Sequence, residues 1–170
     1  MKILIELPTW LGDTVMVTPA MDNIISHYNK PEITIIGSFV SIEVIKNHPK
    51  VVKAEVLKKN YISLYKIAKN LGQFDVYFSF RSSFRSRIFK LLISSKNKYQ
   101  FKRNKYQNCH QVEKYNHYIN DCLKTNFKAG KLNIHPSLNS SFNFSTPVVG
   151  INPGSSYGEA KRWYPEEYAE

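Results

Sequence analysis

Short apolar runs recur along the chain, separated by longer stretches in which apolar residues return every third or fourth position. Ile3–Leu7, Ile33–Ile36, Val51–Leu57 and Val76–Phe80 have the length and content of buried strands, and Tyr99–Phe101 is a weaker fifth. Helix-length segments lie between them, at roughly Thr14–Tyr28, Ser41–Asn47, Ile62–Leu71, Ser83–Ser94 and Val112–Phe127. Strands alternating with helices predict an α/β fold, a parallel sheet covered by helices on both faces. Within Ser83–Ser94 the spacing of Phe84, Ile88, Leu91 and Leu92 predicts the stripe that the helix buries. Pro19 falls inside the first helical segment. It either kinks one long helix or opens a second helix at Thr18-Pro19.

Lys128 to Thr146 is polar, aperiodic and rich in Ser and Asn, the composition of a linker. Periodic structure resumes with Pro147-Val-Val-Gly-Ile151, which reads as a buried strand. A Gly/Ser turn, a lysine and a helix start at Pro165 follow it. The expected organisation is therefore a domain over 1–130, a linker over 131–146, and over 147–170 the truncated beginning of a second α/β domain. On this reading the sequence is a fragment.

Composition adds a constraint on partners. With 170 residues, 42% of them apolar, the chain can bury one core, the default being a single domain of about 100–150 residues. A net charge of +11 favours anionic partners: nucleic acid, an anionic membrane surface, or phosphorylated small molecules. Cys109 and Cys122 form no CxxC pair, which points to incidental thiols in a reducing compartment. His27, His48, His110, His117 and His135 lack metal-ligand spacing, so no metal is expected. No stretch approaches the length of a signal peptide core or a membrane span, and a cytoplasmic protein is predicted.

Three places could carry chemistry. The loop Leu7-Pro-Thr-Trp-Leu-Gly-Asp13-Thr follows the first strand, at the sheet edge where open α/β folds bind ligands. Gly12 permits close backbone approach there. Asp13 is either a helix cap or a free carboxylate. Between Asp75 and Glu113 no acidic residue occurs, while nine basic residues do, from Arg81, Arg85 and Arg87 to Lys105. Arg81 and Arg85 follow the fourth strand, on the same rim as Asp13, and an arginine fork suits a phosphate or carboxylate. The rest of the tract reads equally as a solvated basic face. In the late loop, Lys161 with Ser155 or Ser156 and free backbone N–H groups forms a phosphate cradle at a helix start.

These residues also carry a family resemblance. Leu7-Pro-Thr-Trp-Leu-Gly-Asp-Thr-Val-Met-Val-Thr-Pro-Ala20, Phe80-Arg-Ser-Ser-Phe-Arg-Ser86 and Pro153-Gly-Ser-Ser-Tyr-Gly-Glu-Ala-Lys-Arg-Trp163 resemble three motifs of glycosyltransferase family 9, the ADP-heptose:lipopolysaccharide heptosyltransferases. Trp10 and the Ala-Lys-Arg-Trp ending point towards the heptosyltransferase II branch. The resemblance implies a GT-B architecture: two Rossmann-like domains facing across a cleft, the N-terminal one receiving the acceptor. It implies an inverting transfer of heptose from ADP-heptose to a lipid A-core acceptor, with no metal and no other cofactor. Asp13 matches the catalytic base and Lys161 a donor-phosphate contact, with Ser155 and Ser156 beside it. Arg81, Arg85 and Gly12 fall near the acceptor. It further implies a cytoplasmic enzyme peripheral to the inner membrane, with the basic tract against the anionic leaflet. The alternative is a non-catalytic basic module binding nucleic acid or anionic lipid, with Phe84, Phe89, Tyr99, Phe101 and Tyr106 as stacking surfaces. The transferase reading expects no nucleic acid.

Overall fold

A computed structural model describes residues 1–58, 60–135, 145–152, 154, 162 and 164–168. Its central feature is a sheet of five parallel strands: β1 (Lys2–Glu6), β2 (Glu32–Gly37), β3 (Val51–Val56), β4 (Gln73–Ser79) and β5 (Ser94–Gln100). Their order is β3-β2-β1-β4-β5, so β1 is central and the chain reverses its direction of travel beside it. Ile3 and Ile5 face one layer and Leu4 the other, which is why β1 is apolar at every inner position. The outermost strands are polar and partly exposed. β5, Ser-Ser-Lys-Asn-Lys-Tyr-Gln, extends well before the apolar Tyr99–Phe101 that marked it in the sequence. Lysines on an edge strand discourage pairing with another chain.

Helices α1 (Leu11–His27), α2 (Phe39–Ile45) and α5 (Gln111–Leu123) pack on one face of the sheet, α3 (Tyr61–Asn70) and α4 (Phe84–Leu92) on the other. α1 runs unbroken through Pro19. The ring removes the N–H that would have bonded the Val15 carbonyl, and the Thr18 hydroxyl donates to that carbonyl instead at 2.8 Å. After α5 the chain turns at Lys124, in the left-handed region, and returns across α1. Asn120 fixes the return by donating to the Phe127 carbonyl and accepting from the Phe127 N–H, while Asn23 of α1 donates to the Lys128 carbonyl.

Two expectations are corrected. α4 buries Ser86 and Phe89, not the stripe through Phe84 and Leu91, which stand 70% and 80% exposed. Ile88 is only partly buried. The reason is the layer beneath: Phe89 meets Tyr77 edge-on, and Ser86 bonds a buried carboxylate. Pro147–Ile151 is not a buried strand. It pairs with no strand among the described residues, and Val149 is 84% exposed. An extended segment without a neighbour has no ladder to satisfy its backbone and no layer to cover its side chains.

The chain divides into two compact units, Met1–Ser137 and Leu138–Glu170. Among the described residues of the second there is a 3-10 turn at Pro165–Tyr168.

Candidate active site

The carboxyl ends of β1 and β4 separate where the strand order reverses, and loops from both open a cleft of about 420 Å³. Pro8, Thr9, Trp10 and Asp13 line it from the β1–α1 side, Phe80 to Ser83 from the β4–α4 side. Phe101, Arg103, Gln111 and Tyr115 close the third wall. The loop from β1 is pinned from behind: Ser41 of α2 donates to the Pro8 carbonyl at 2.5 Å and Ser38 to the Thr9 carbonyl at 2.8 Å.

Asp13 sits in the first turn of α1, half-buried, facing this space. It is not the cap. Trp10 holds that position, with no side-chain bond, and Asp13 has no hydrogen bond or ion pair among the described residues. Its charge is felt across the cleft. Burial pushes the Tyr115 phenol well above its usual range and the Asp13 carboxylate adds to the effect, so Tyr115 remains a protonated donor. Gly12 lies in the exposed turn beside it, where a side chain would meet nothing within 4 Å.

Arg81 is held on the opposite wall. Its N–H donates to Ser79 Oγ at 3.2 Å, its carbonyl accepts from Gln100 at 3.2 Å, and its guanidinium stands 3.9 Å from Glu6 Oε1. Glu6 is 2% exposed, at the end of β1. Its Oε2 accepts from the hydroxyls of Tyr77 at 2.6 Å, Ser79 at 2.7 Å, and Ser86. An acid at the end of an apolar run passes for a strand terminus, and Glu6 was not anticipated. The signal available was the parallel register that sets it against Ser79, itself two residues from Tyr77. Arg103, Gln111 and Tyr115 were likewise not expected in the site; only the four-residue spacing of the last two, which puts them on one face of a helix, hinted at it.

Arg85 lies elsewhere on the rim. Its Nη2 donates to the Lys58 carbonyl, which ties the start of α4 to the loop before α3, and its Nε is buried without a partner among the described residues. Lys161, Ser155 and Ser156 lie outside the described residues. Among the described residues no three His, Cys, Asp or Glu side chains converge on a metal-sized site. Burial pushes the Cys122 thiol up to about 12, far from the range of a nucleophile.

A parallel sheet in this order, with a polar cleft at its switch point, defines a Rossmann-like ligand-binding domain. Solved structures match it across 99% of the chain: a family 9 glycosyltransferase from Veillonella parvula (TM-score 0.79, 15% identity, 57% of that chain) and the ADP-heptose LPS heptosyltransferase II of E. coli (TM-score 0.74, 19% identity, 59% of that chain). No family model matches the sequence. Two lipooligosaccharide heptosyltransferases 2 of Campylobacter jejuni do: that of serotype O:2 is 40% identical and that of serotype O:6 is 37% identical, each over 96% of this chain. The chain spans about half, 53%, of the length of these curated relatives. In sequence and in fold, the chain is thus similar to the N-terminal portion of heptosyltransferases and family 9 glycosyltransferases.

Proposed function

We propose that residues 1–130 are the acceptor-binding half of an inverting heptosyltransferase that moves heptose from ADP-heptose to the inner core of a lipooligosaccharide. The observation that carries this reading is Asp13, unpaired among the described residues, facing Arg81 and Arg103 across the switch-point cleft. A hydroxyl of the acceptor sugar would give its proton to the Asp13 carboxylate as its oxygen bonds the anomeric carbon and the bond to ADP breaks. A carboxylate within hydrogen-bond reach suits that role. Arg81 and Arg103 offer two guanidinium forks to acidic groups on the acceptor, and Tyr115 offers a phenol donor. Open space over Gly12 admits the sugar. Arg85 would serve the acceptor only beyond the cleft, on the rim. On the donor side, Lys161 with Ser155 and Ser156 is assigned to the departing diphosphate, whose growing charge a lysine stabilises.

The same reading places the enzyme in the cytoplasm, against an anionic membrane surface from which its lipid-linked acceptor projects. Among the described residues no helix is long and apolar enough to cross a membrane. The stacking-platform alternative loses its main support, because Phe89 and Phe101 are buried in the core.

A chimera tests the proposal. Residues 1–135 would replace the corresponding half of the 40%-identical Campylobacter enzyme, and transfer from ADP-heptose to a heptose-deficient core acceptor would be followed. The chimera is expected to be active and its Asp13→Ala variant to lose roughly 10²–10⁴-fold in kcat. An active, folded Asp13→Ala chimera would overturn the assignment.

A further inference from the structure

The outward face of the α3–α4 layer has the wrong chemistry for a surface meant only for water. On α3, Ile62, Tyr65, Lys66 and Lys69 recur at helical spacing opposite the buried Leu64 and Ala68, and Ile62 is 70% exposed. On α4, Phe84, Arg87 and Leu91 form a matching outer stripe opposite Ser86 and Phe89. Tyr61 is exposed at the start of α3, and the two helix starts are joined by the bond from Arg85 to the Lys58 carbonyl. Large apolar side chains thus stand beside cations across two packed helices, where a water-facing helix is ordinarily polar. Lys69 lies over the Tyr65 ring at 4.9 Å.

The sign of the charge selects the partner. From Val56 to Val112 the only acidic residue is Asp75. It sits at the opposite, amino edge of the sheet, held by Lys96 at 2.7 Å and by the Lys2 N–H at 2.9 Å. The α3–α4 face therefore presents cations without a carboxylate of its own. Protein interfaces deplete lysine at their cores. An anionic bilayer instead takes aromatic and aliphatic side chains at the headgroup level and lysine or arginine beside phosphate.

We infer that the α3–α4 face, with Ile62 and Phe84 as its apolar anchors and Lys66 and Arg87 as its charges, is the surface by which this protein binds an anionic membrane. The inference rests on the membrane contact in the proposed function, to which it assigns a location. It leaves the switch-point cleft free, because none of Ile62, Lys66, Phe84 and Arg87 is among the residues that line it.

The test is co-sedimentation of the 170-residue chain with vesicles of phosphatidylcholine alone or with added phosphatidylglycerol, at rising salt. The chain is expected to pellet with the anionic vesicles only. Ile62→Ser with Phe84→Ser is expected to weaken partitioning at least severalfold, and Lys66→Gln with Arg87→Gln about tenfold or more. Val52→Ser, on edge strand β3, should change nothing. Circular dichroism checks that each variant is folded. If the chain pellets but neither double variant matters, the membrane contact stands and this face is wrong. If the chain ignores anionic vesicles altogether, both fail, while the chimera still judges the transferase reading separately. Concentration-dependent dimerisation abolished by the same variants would overturn the assignment in favour of a second copy of the chain.

Discussion

Glu6 shows how one residue can organise a site that it barely touches. Buried at the end of the central strand, it collects the hydroxyls of Tyr77, Ser79 and Ser86 and faces the Arg81 guanidinium. Removing it orphans those groups where water cannot replace it, and unsatisfied buried groups are costly. Glu6→Ala is expected to lower the unfolding free energy by about 2–4 kcal/mol. Glu6→Gln, which keeps an acceptor for the hydroxyls but loses the charge facing Arg81, should cost about half that. Urea denaturation measures both, and a Glu6→Gln variant as stable as the native chain would show that the charge is irrelevant. Asp13 should behave oppositely. It bonds nothing among the described residues and gains only from the helix dipole, so Asp13→Asn should change stability by no more than about 1 kcal/mol while abolishing any role as a base. The sequence showed Asp13 because a Gly-Asp pair after a strand is visible in one dimension. Glu6 was hidden because its partners lie more than 70 residues away.

At the scale of elements, alternation was legible and orientation was not. Strands buried on both faces are apolar throughout and announce themselves; β5, an edge strand of Ser, Lys and Asn, does not. In the nine residues of α4, two turns carry several apolar positions, and periodicity alone cannot say which stripe faces the sheet. The choice is made by Tyr77 and Glu6 beneath it. Pro147–Ile151 has strand composition, but composition supplies no neighbouring strand. The segment returning after α5 adds a feature that sequence spacing concealed, because it brings His135 against His48 with ring centroids 4.5 Å apart. His48 Nδ1 accepts from the Lys50 N–H at 3.1 Å, and Asp22 of α1 stands 3.8 Å from Nε2. Burial lowers the His48 pKa, and His135 and Lys50 push the same way, against Asp22. The unfolded chain therefore binds more protons than the folded one as pH falls through about 6.5, and stability must decline below that point. His48→Gln should flatten the profile between about pH 7 and 5, measured as unfolding free energy against pH. An unchanged slope would mean that another group carries the dependence.

For the whole molecule, the decisive quantity is how much of the reacting system one cleft can hold. Transfer to a sugar hydroxyl requires a base beside the nucleophile and a grip on the departing diphosphate, aligned in one closed space. On the proposed reading the described cleft, lined by Asp13, Arg81, Arg103 and Tyr115, would supply the first, with the arginines and the phenol to seat an acidic acceptor. Every described residue in its lining comes from the first compact unit, and the chain covers 53% of its curated relatives. A half-site of this kind can bind without turning over. The 170 residues alone are therefore expected to bind a heptose-deficient core oligosaccharide, weakly and with salt sensitivity set by the arginines. They should form no product from ADP-heptose in an assay that detects the intact chimera readily. Arg81→Ala with Arg103→Ala should abolish the binding seen by calorimetry, and Asp13→Asn should leave it nearly unchanged, because a base works on the proton and not on the grip. Measurable turnover by the 170-residue chain would show that donor and acceptor are held by far fewer residues than a two-domain cleft requires, and would break the division of labour proposed between the halves.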